Sequence, residues 1–162
     1  MSLEITSQER IIHPVKRLEV PQDQLVVVGG AALELFGIKQ TKDIDVVVSA
    51  SWITKLLADK HKYFGFDEQG RVKEDKGALL AHAADVYSVA TYGPLSVMTA
   101  PNDALYQATF EELRDEAVEI EGLLVSPPER ILAWKQAVGR EKDAADIQLI
   151  EQYMAQNLEQ SN

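Results

Sequence analysis

Cysteine is absent from this 162-residue chain, which excludes a disulfide framework and any thiolate metal site. Histidine is scarce, and His13, His61 and His82 share no ligand spacing; neither a Ser/His/Asp nor a Cys/His arrangement can be assembled. No apolar run approaches the roughly 18 residues needed to span a bilayer, and the opening MSLEITSQER carries no signal-peptide pattern. A cytoplasmic protein with no membrane partner is therefore expected. Positive charge is in short supply as well. The net charge of −10 and pI of about 4.7 have the wrong sign for gripping nucleic acid by broad phosphate neutralisation. A nucleic-acid substrate would have to be met by a local basic patch or a partner subunit. Repeats, low-complexity segments and long linkers are missing too. The length fits one domain, which buries roughly 70% of its unfolded surface.

What is present is concentrated between Leu25 and Ser49, LVVVGGAALELFGIKQTKDIDVVVS. The apolar run ending at Val28 reads as a central strand, Gly29-Gly30 as a turn, and Ala31 to Phe36 as a helix closed by Gly37. Asp43 to Val48 reads as a second strand ended by Ser49. Side chains two apart on a strand share a face, so Asp43 and Asp45 project together and repel each other. A divalent cation is the usual answer to such a pair. A Gly-Gly turn that opens a helix is in turn a natural seat for phosphate oxygens. Each feature alone also has an ordinary reading, as tight packing and as surface charge.

Elsewhere Pro14 is expected to interrupt any helix over residues 4–18, and Pro21 to begin a turn. Ser51 caps a helix running to about Lys60, with Trp52, Ile53, Leu56 and Leu57 as its apolar stripe. Short strands or a hairpin are expected between Tyr63 and Lys76, and ADVYSVA, Ala84 to Ala90, alternates as a further strand. Asp103 caps a helix through about Asp115. Ala117 to Val125 reads as two short strands about a Glu121-Gly122 turn. Ser126-Pro127-Pro128-Glu129 has capping-box spacing and starts a helix to about Val138, loosened by Gly139. A second helix follows from Lys142, with Ile147, Ile150 and Met154 on one face. Trp52 and Trp134 fall on apolar faces as core residues. The fold class is α/β (α+β): a mixed sheet flanked by helices over residues 22–100, then a helical segment over residues 126–156.

Two separated motifs resemble those of the nucleotidyltransferase superfamily. GGAALELFGIKQTKDIDVVV is similar to its Gly-Gly/Ser signature followed by Asp-x-Asp, most closely in the small bacterial proteins around the AbiEii-type toxins. ERILAWKQAVGREKDAADIQLI resembles the second motif of that subgroup through Lys135, Arg140, Lys142-Asp143 and Asp146-Ile147. The resemblance implies a nucleotidyltransferase-fold sheet on which Asp43, Asp45 and Asp85 are catalytic and hold Mg²⁺ or Mn²⁺. It implies that Gly29 and Gly30 admit the β- and γ-phosphates of an NTP such as ATP. Lys135, Arg140 and Lys142 would offset triphosphate charge, with Asp143 orienting one of them. Without the resemblance, these last residues read as a solvated helix face with a Lys142–Asp146 pair at i,i+4. Thr41 is expected to serve structure.

The activity implied is transfer of NMP from an NTP to an acceptor hydroxyl, with pyrophosphate released. RNA, protein and a small molecule are all open as acceptors. The alternative is a catalytically silent nucleotide- or partner-binding module of a toxin–antitoxin type system, working beside a protein partner. One departure stands out: the family often has Arg where this chain has Gln40, although Lys39 is its neighbour.

Overall fold

The structure, a computed structural model, describes residues 11–41, 43–58, 79–80, 89–92, 95–98 and 108–160. At its centre is β1 (Leu25–Val28), four branched apolar residues that are all buried. A strand with no polar alternation needs cover on both faces, and this one has it. β1 pairs antiparallel with β2 (Ile44–Val48) on one side and parallel with β7 (Leu123–Val125) on the other. β2 continues in parallel to β5 (Leu95–Met98). With β3 (Leu79–Leu80), β4 (Val89–Tyr92) and β6 (Val118–Ile120), the mixed sheet runs β3-β4-β5-β2-β1-β7-β6. The helices are α1 (His13–Lys16), α2 (Gly29–Leu35), α3 (Ala50–Ala58), α4 (Phe110–Glu116), α5 (Pro128–Val138) and α6 (Ala144–Gln160). The expected class, a mixed sheet flanked by helices with helices at the C-terminal end, is the observed one. Among the described residues no helix is long and apolar enough to cross a membrane.

The period of two sorts the strands into two cores. Leu25, Val27, Ile44, Val46 and Val48 face a core closed by Ala31, Ala32 and Leu33 of α2, Ile53 and Leu56 of α3, Ile131 of α5 and Ile150 of α6. Val26, Val28 and Val47 face the opposite side, where Met98, Ala108, Phe110 and Leu113 cover them and Trp134 packs at the margin. Asp45, two residues before Val47, belongs to this second side. Both tryptophans pack as expected, Trp52 against the first core and Trp134 against the second.

Several element ends are set by contacts other than those expected. Pro14 lies in the first turn of α1, where its missing N–H costs nothing, and does not interrupt a helix. Ser49, not Ser51, precedes α3: its carbonyl accepts from Ile53 N at 3.1 Å, so the helix begins before Ser51. α4 is capped by Thr109, whose side chain accepts from Glu112 N at 3.1 Å. Thr109 is extended, so no continuous helix reaches Asp115 from Asp103, which itself lies outside the described residues. The capping box at Ser126 does not form. Ser126 N donates to Val27 O at 2.9 Å and so prolongs the β1–β7 ladder, which leaves Pro127 as the extended cap of α5. The stretch from Tyr63 to Lys76 and residues 84–88 of the expected ADVYSVA strand lie outside the described residues.

Other signals are met as read. Glu121 and Gly122 turn between β6 and β7 with φ of 52° and 80°, the paired positive values of a tight hairpin turn. Gly139 closes α5 in the left-handed conformation, its N–H donating to Lys135 O at 3.0 Å.

Candidate functional site

The antiparallel register sets Val28 opposite Asp45, so the residue that follows β1 lies beside the start of β2. That residue is Gly29. Its φ is +62°, and a Cβ built on it would stand 3.3 Å from Asp45 Oδ2. The carboxylate therefore rests against bare backbone. Gly30 is needed for a different reason: a Cβ there would fall 2.6 Å from Thr41 Oγ1 and 3.1 Å from Thr41 Cβ. Thr41 is itself tied down. Its N–H donates to Glu34 Oε1 at 2.9 Å, and its hydroxyl donates to Asp43 O at 3.1 Å. Gly29 and Gly30, which form the first turn of α2 and not a separate turn ahead of it, thus seat the loop that delivers Asp43 and Asp45, and Thr41 ties that loop down.

Asp43 is exposed and Asp45 half-buried. Burial raises the Asp45 carboxyl above its ordinary range; the Asp43 charge raises it further, and Lys135 pulls it back in part. This places Lys135 of α5 within electrostatic reach of β2.

Lys135 is the centre of a second group of side chains. Its Nζ lies 2.9 Å from Asp143 Oδ1 and 3.1 Å from Asp146 Oδ2. The remaining oxygen of Asp143 accepts from Arg140 Nε at 2.7 Å, and that of Asp146 accepts from Lys39 Nζ at 2.8 Å. Burial pushes both carboxyls up, but their cations outweigh it: Lys135 and Arg140 for Asp143, Lys39 and Lys135 for Asp146. Both carboxyls are held below the usual range. The local reason for this arrangement is the break between α5 and α6. Gly139 ends one helix, a 3₁₀ turn at Glu141–Asp143 follows, and α6 starts at Ala144. That corner turns Asp143 and Asp146 back toward Lys135.

Of the residues singled out in the sequence, the structure sets Gly29 against Asp45 and Gly30 against the Thr41 loop ahead of Asp43, and joins Lys135 to Arg140 through Asp143, with Lys135 near enough to Asp45 to act on its carboxyl. Lys142 is exposed in the 3₁₀ turn, and Asp146 pairs with Lys39 and Lys135, not with Lys142. Asp85 lies outside the described residues. Three contributors lie beyond what the sequence marks. Lys39 pairs with Asp146 across 107 residues. Glu34, one more helix residue by its sequence, is buried and holds Thr41. Asp146, by its spacing a partner for Lys142, instead bridges Lys39 and Lys135.

Asp43 and Asp45 also bear on the question of a metal. Carboxylate oxygens are the donors that Mg²⁺ or Mn²⁺ takes, and the mutual repulsion of the pair is what a divalent ion would relieve. The residues present fit such an ion. Among the described residues, no group of three or more Asp, Glu or His side chains is poised around one point. The protein share of a shell would thus be these two carboxylates together with any group outside the described residues.

Comparison with protein-family models, with curated proteins and with solved structures finds no match to this chain.

Proposed function

We propose that this protein is a divalent-metal-dependent nucleotidyltransferase that moves the NMP unit of an NTP to an acceptor hydroxyl. One observation carries the reading. The Asp45 carboxylate, with Asp43 repelling it, lies against the bare backbone of Gly29, and Lys135, an ammonium held by two carboxylates and far from them in the chain, is near enough for its charge to lower the Asp45 carboxyl. Packing alone does not call for two like charges beside a cation that is already paired twice.

In this reading Asp43 and Asp45 would hold Mg²⁺ or Mn²⁺, which when bound polarises phosphoryl oxygens and eases loss of the acceptor proton. Lys135 draws the charged phosphate oxygens toward β2, and Arg140, sharing Asp143 with it, adds positive charge at the rim. The missing Cβ of Gly29 lets the Asp45 carboxylate lie close against the chain. The acceptor oxygen forms its bond to the α-phosphorus, the bond to the β-phosphate bridging oxygen breaks, and pyrophosphate carries that electron pair away. The resemblance gives Asp85 either the acceptor proton or a place in the metal shell. The rate gain comes from positioning and charge neutralisation.

The test is incubation with each α-labelled NTP, Mg²⁺ or Mn²⁺, and cell RNA, protein or small-molecule extract in turn. Label transfer by the wild type that is lost in Asp43→Asn with Asp45→Asn supports the enzyme. Metal-dependent nucleotide binding with no transfer to any acceptor class supports the silent binding module instead. Transfer by the double variant at the wild-type rate refutes the assignment.

A further inference from the structure

Lys39 lies in the loop that leads from α2 to Asp43, inside the first motif but at a position to which the resemblance gives no role. Its ammonium nevertheless reaches across to α6 and takes one oxygen of Asp146 at 2.8 Å, while the other oxygen lies 3.1 Å from Lys135. Asp143 repeats the pattern, with one oxygen on Lys135 at 2.9 Å and the other on Arg140 at 2.7 Å. Each carboxylate is thus shared between Lys135 and an outer cation. The two outer cations are not equivalent. Arg140 is 45% exposed and sits three residues from Asp143, a local pair that solvent screens. Lys39 is 30% exposed, Asp146 16% and Lys135 12%, so the Lys39 arm is the better shielded and the longer-range of the two.

A buried ammonium facing two undivided carboxylates would have its charge cancelled and would be held fast. Dividing each carboxylate prevents this: Lys39, Lys135 and Arg140 stand against Asp143 and Asp146, three cations to two anions. The one excess positive charge of this group faces Asp45, whose carboxyl Lys135 lowers, on the side where a metal-bound phosphate would arrive.

We infer that Lys39 is a positioning residue of the triphosphate site. By holding the outer oxygen of Asp146, it keeps Lys135 available to phosphate on the Asp45 side. The inference rests on the nucleotidyltransferase reading. It gives Lys39 no contact with phosphate; the residue acts through Asp146 alone. Its removal hands all of Asp146 to Lys135, and the ammonium then turns from phosphate to carboxylate.

The sign of that effect separates positioning from mere support. Lys39→Met weakens MgATP binding about tenfold, the equivalent of about 1.4 kcal/mol. Adding Asp146→Asn to Lys39→Met removes the unshared carboxylate and returns the affinity to within about threefold of wild type. Lys39→Arg keeps the pair and binds as the wild type does. Lys39→Gln, with a smaller change in packing, repeats the Lys39→Met result. Binding of Mn²⁺ alone, read by electron paramagnetic resonance, is the same in all four.

Calorimetric titration of each protein with MgATP decides the matter. Weakening in Lys39→Met with recovery in the double variant supports the inference. Wild-type affinity in Lys39→Met and Lys39→Gln, or a double variant weaker than Lys39→Met, overturns it while leaving the nucleotide site intact. A wild type with no metal-dependent ATP binding overturns both.

Discussion

Replacing Gly30 by alanine sets two magnitudes against each other. In an open helix the change would stabilise the protein by up to about 1 kcal/mol, because alanine gives up less backbone freedom. Here the new Cβ would stand 2.6 Å from Thr41 Oγ1 and 3.1 Å from Thr41 Cβ. Both distances are shorter than van der Waals contact, and overpacking of this kind costs about 1–3 kcal/mol. Thr41 cannot simply turn aside. Doing so gives up the bond from its hydroxyl to Asp43 O, worth about 0.5–1.5 kcal/mol, and strains the bond from its N–H to Glu34. The net expectation is a loss of about 1–2 kcal/mol, which in a chain of this size lowers Tm by about 3–6 °C. The partner variant isolates the cause. Thr41→Ala removes the oxygen that is overrun, so Gly30→Ala should cost about 1 kcal/mol less in that background. Thermal melts of the four proteins supply the cycle. A Gly30→Ala protein more stable than the wild type, or an equal cost in both backgrounds, would refute the claim that Gly30 is small because Thr41 sits on it.

Gly29→Ala meets the Asp45 carboxylate and a φ of +62°, so it should lose about 1–2 kcal/mol, visible in chemical denaturation. Asp45→Asn should behave in the opposite sense. Burial and the Asp43 charge raise its carboxyl, so the ionised form opposes folding above that raised value. Without metal the variant should melt higher than the wild type at pH 7, and the gap should close as the pH falls through the raised value of the Asp45 carboxyl toward the ordinary carboxyl range. Asp143 and Asp146 are depressed, and their stabilisation is complete above the ordinary carboxyl range of about 4 and lost as the pH falls through their lower folded values. Melts between pH 7 and pH 3 should therefore show a loss at the acid end that Lys135→Met reduces. At neutral pH, Lys135→Met should cost about 2–3 kcal/mol. That is below the 3–5 kcal/mol of a stranded buried charge, because Asp143 keeps Arg140 and Asp146 keeps Lys39.

β1, β2, the β6–β7 hairpin and the Gly-Gly/Asp-x-Asp half of the site were legible because their signals are local, whereas β5, which pairs with β2, carries no such signal in its four residues. An unbroken branched run marks β1, and the Glu121-Gly122 pair turns one strand into the next. The strand period of two puts Asp43 and Asp45 on one side whatever surrounds them. Element ends were less legible wherever a distant partner decided them. Ser126 has the sequence of a helix cap, yet its N–H is claimed by Val27, a residue 99 positions earlier, through the parallel β1–β7 pairing. α4 starts at Thr109, whose hydroxyl accepts from Glu112 N, a choice that the chain's path and not the residue type makes. The charge network was half legible. Lys135, Arg140 and Asp143 lie within one helical corner, but no spacing rule links Lys39 to Asp146. Nor does anything in ALELFG mark Glu34 as the residue that holds the loop ahead of Asp43.

Calorimetric titration of ATP into the wild-type protein with and without Mg²⁺, repeated on Asp43→Ala with Asp45→Ala, tests the central claim most directly. The account expects binding by the wild type that depends on Mg²⁺ and is lost in the double variant, which stays folded because Asp43 is exposed and Asp45 opposes folding when ionised. Equal Mg²⁺-dependent binding by the two proteins, or no such binding by either, would contradict it.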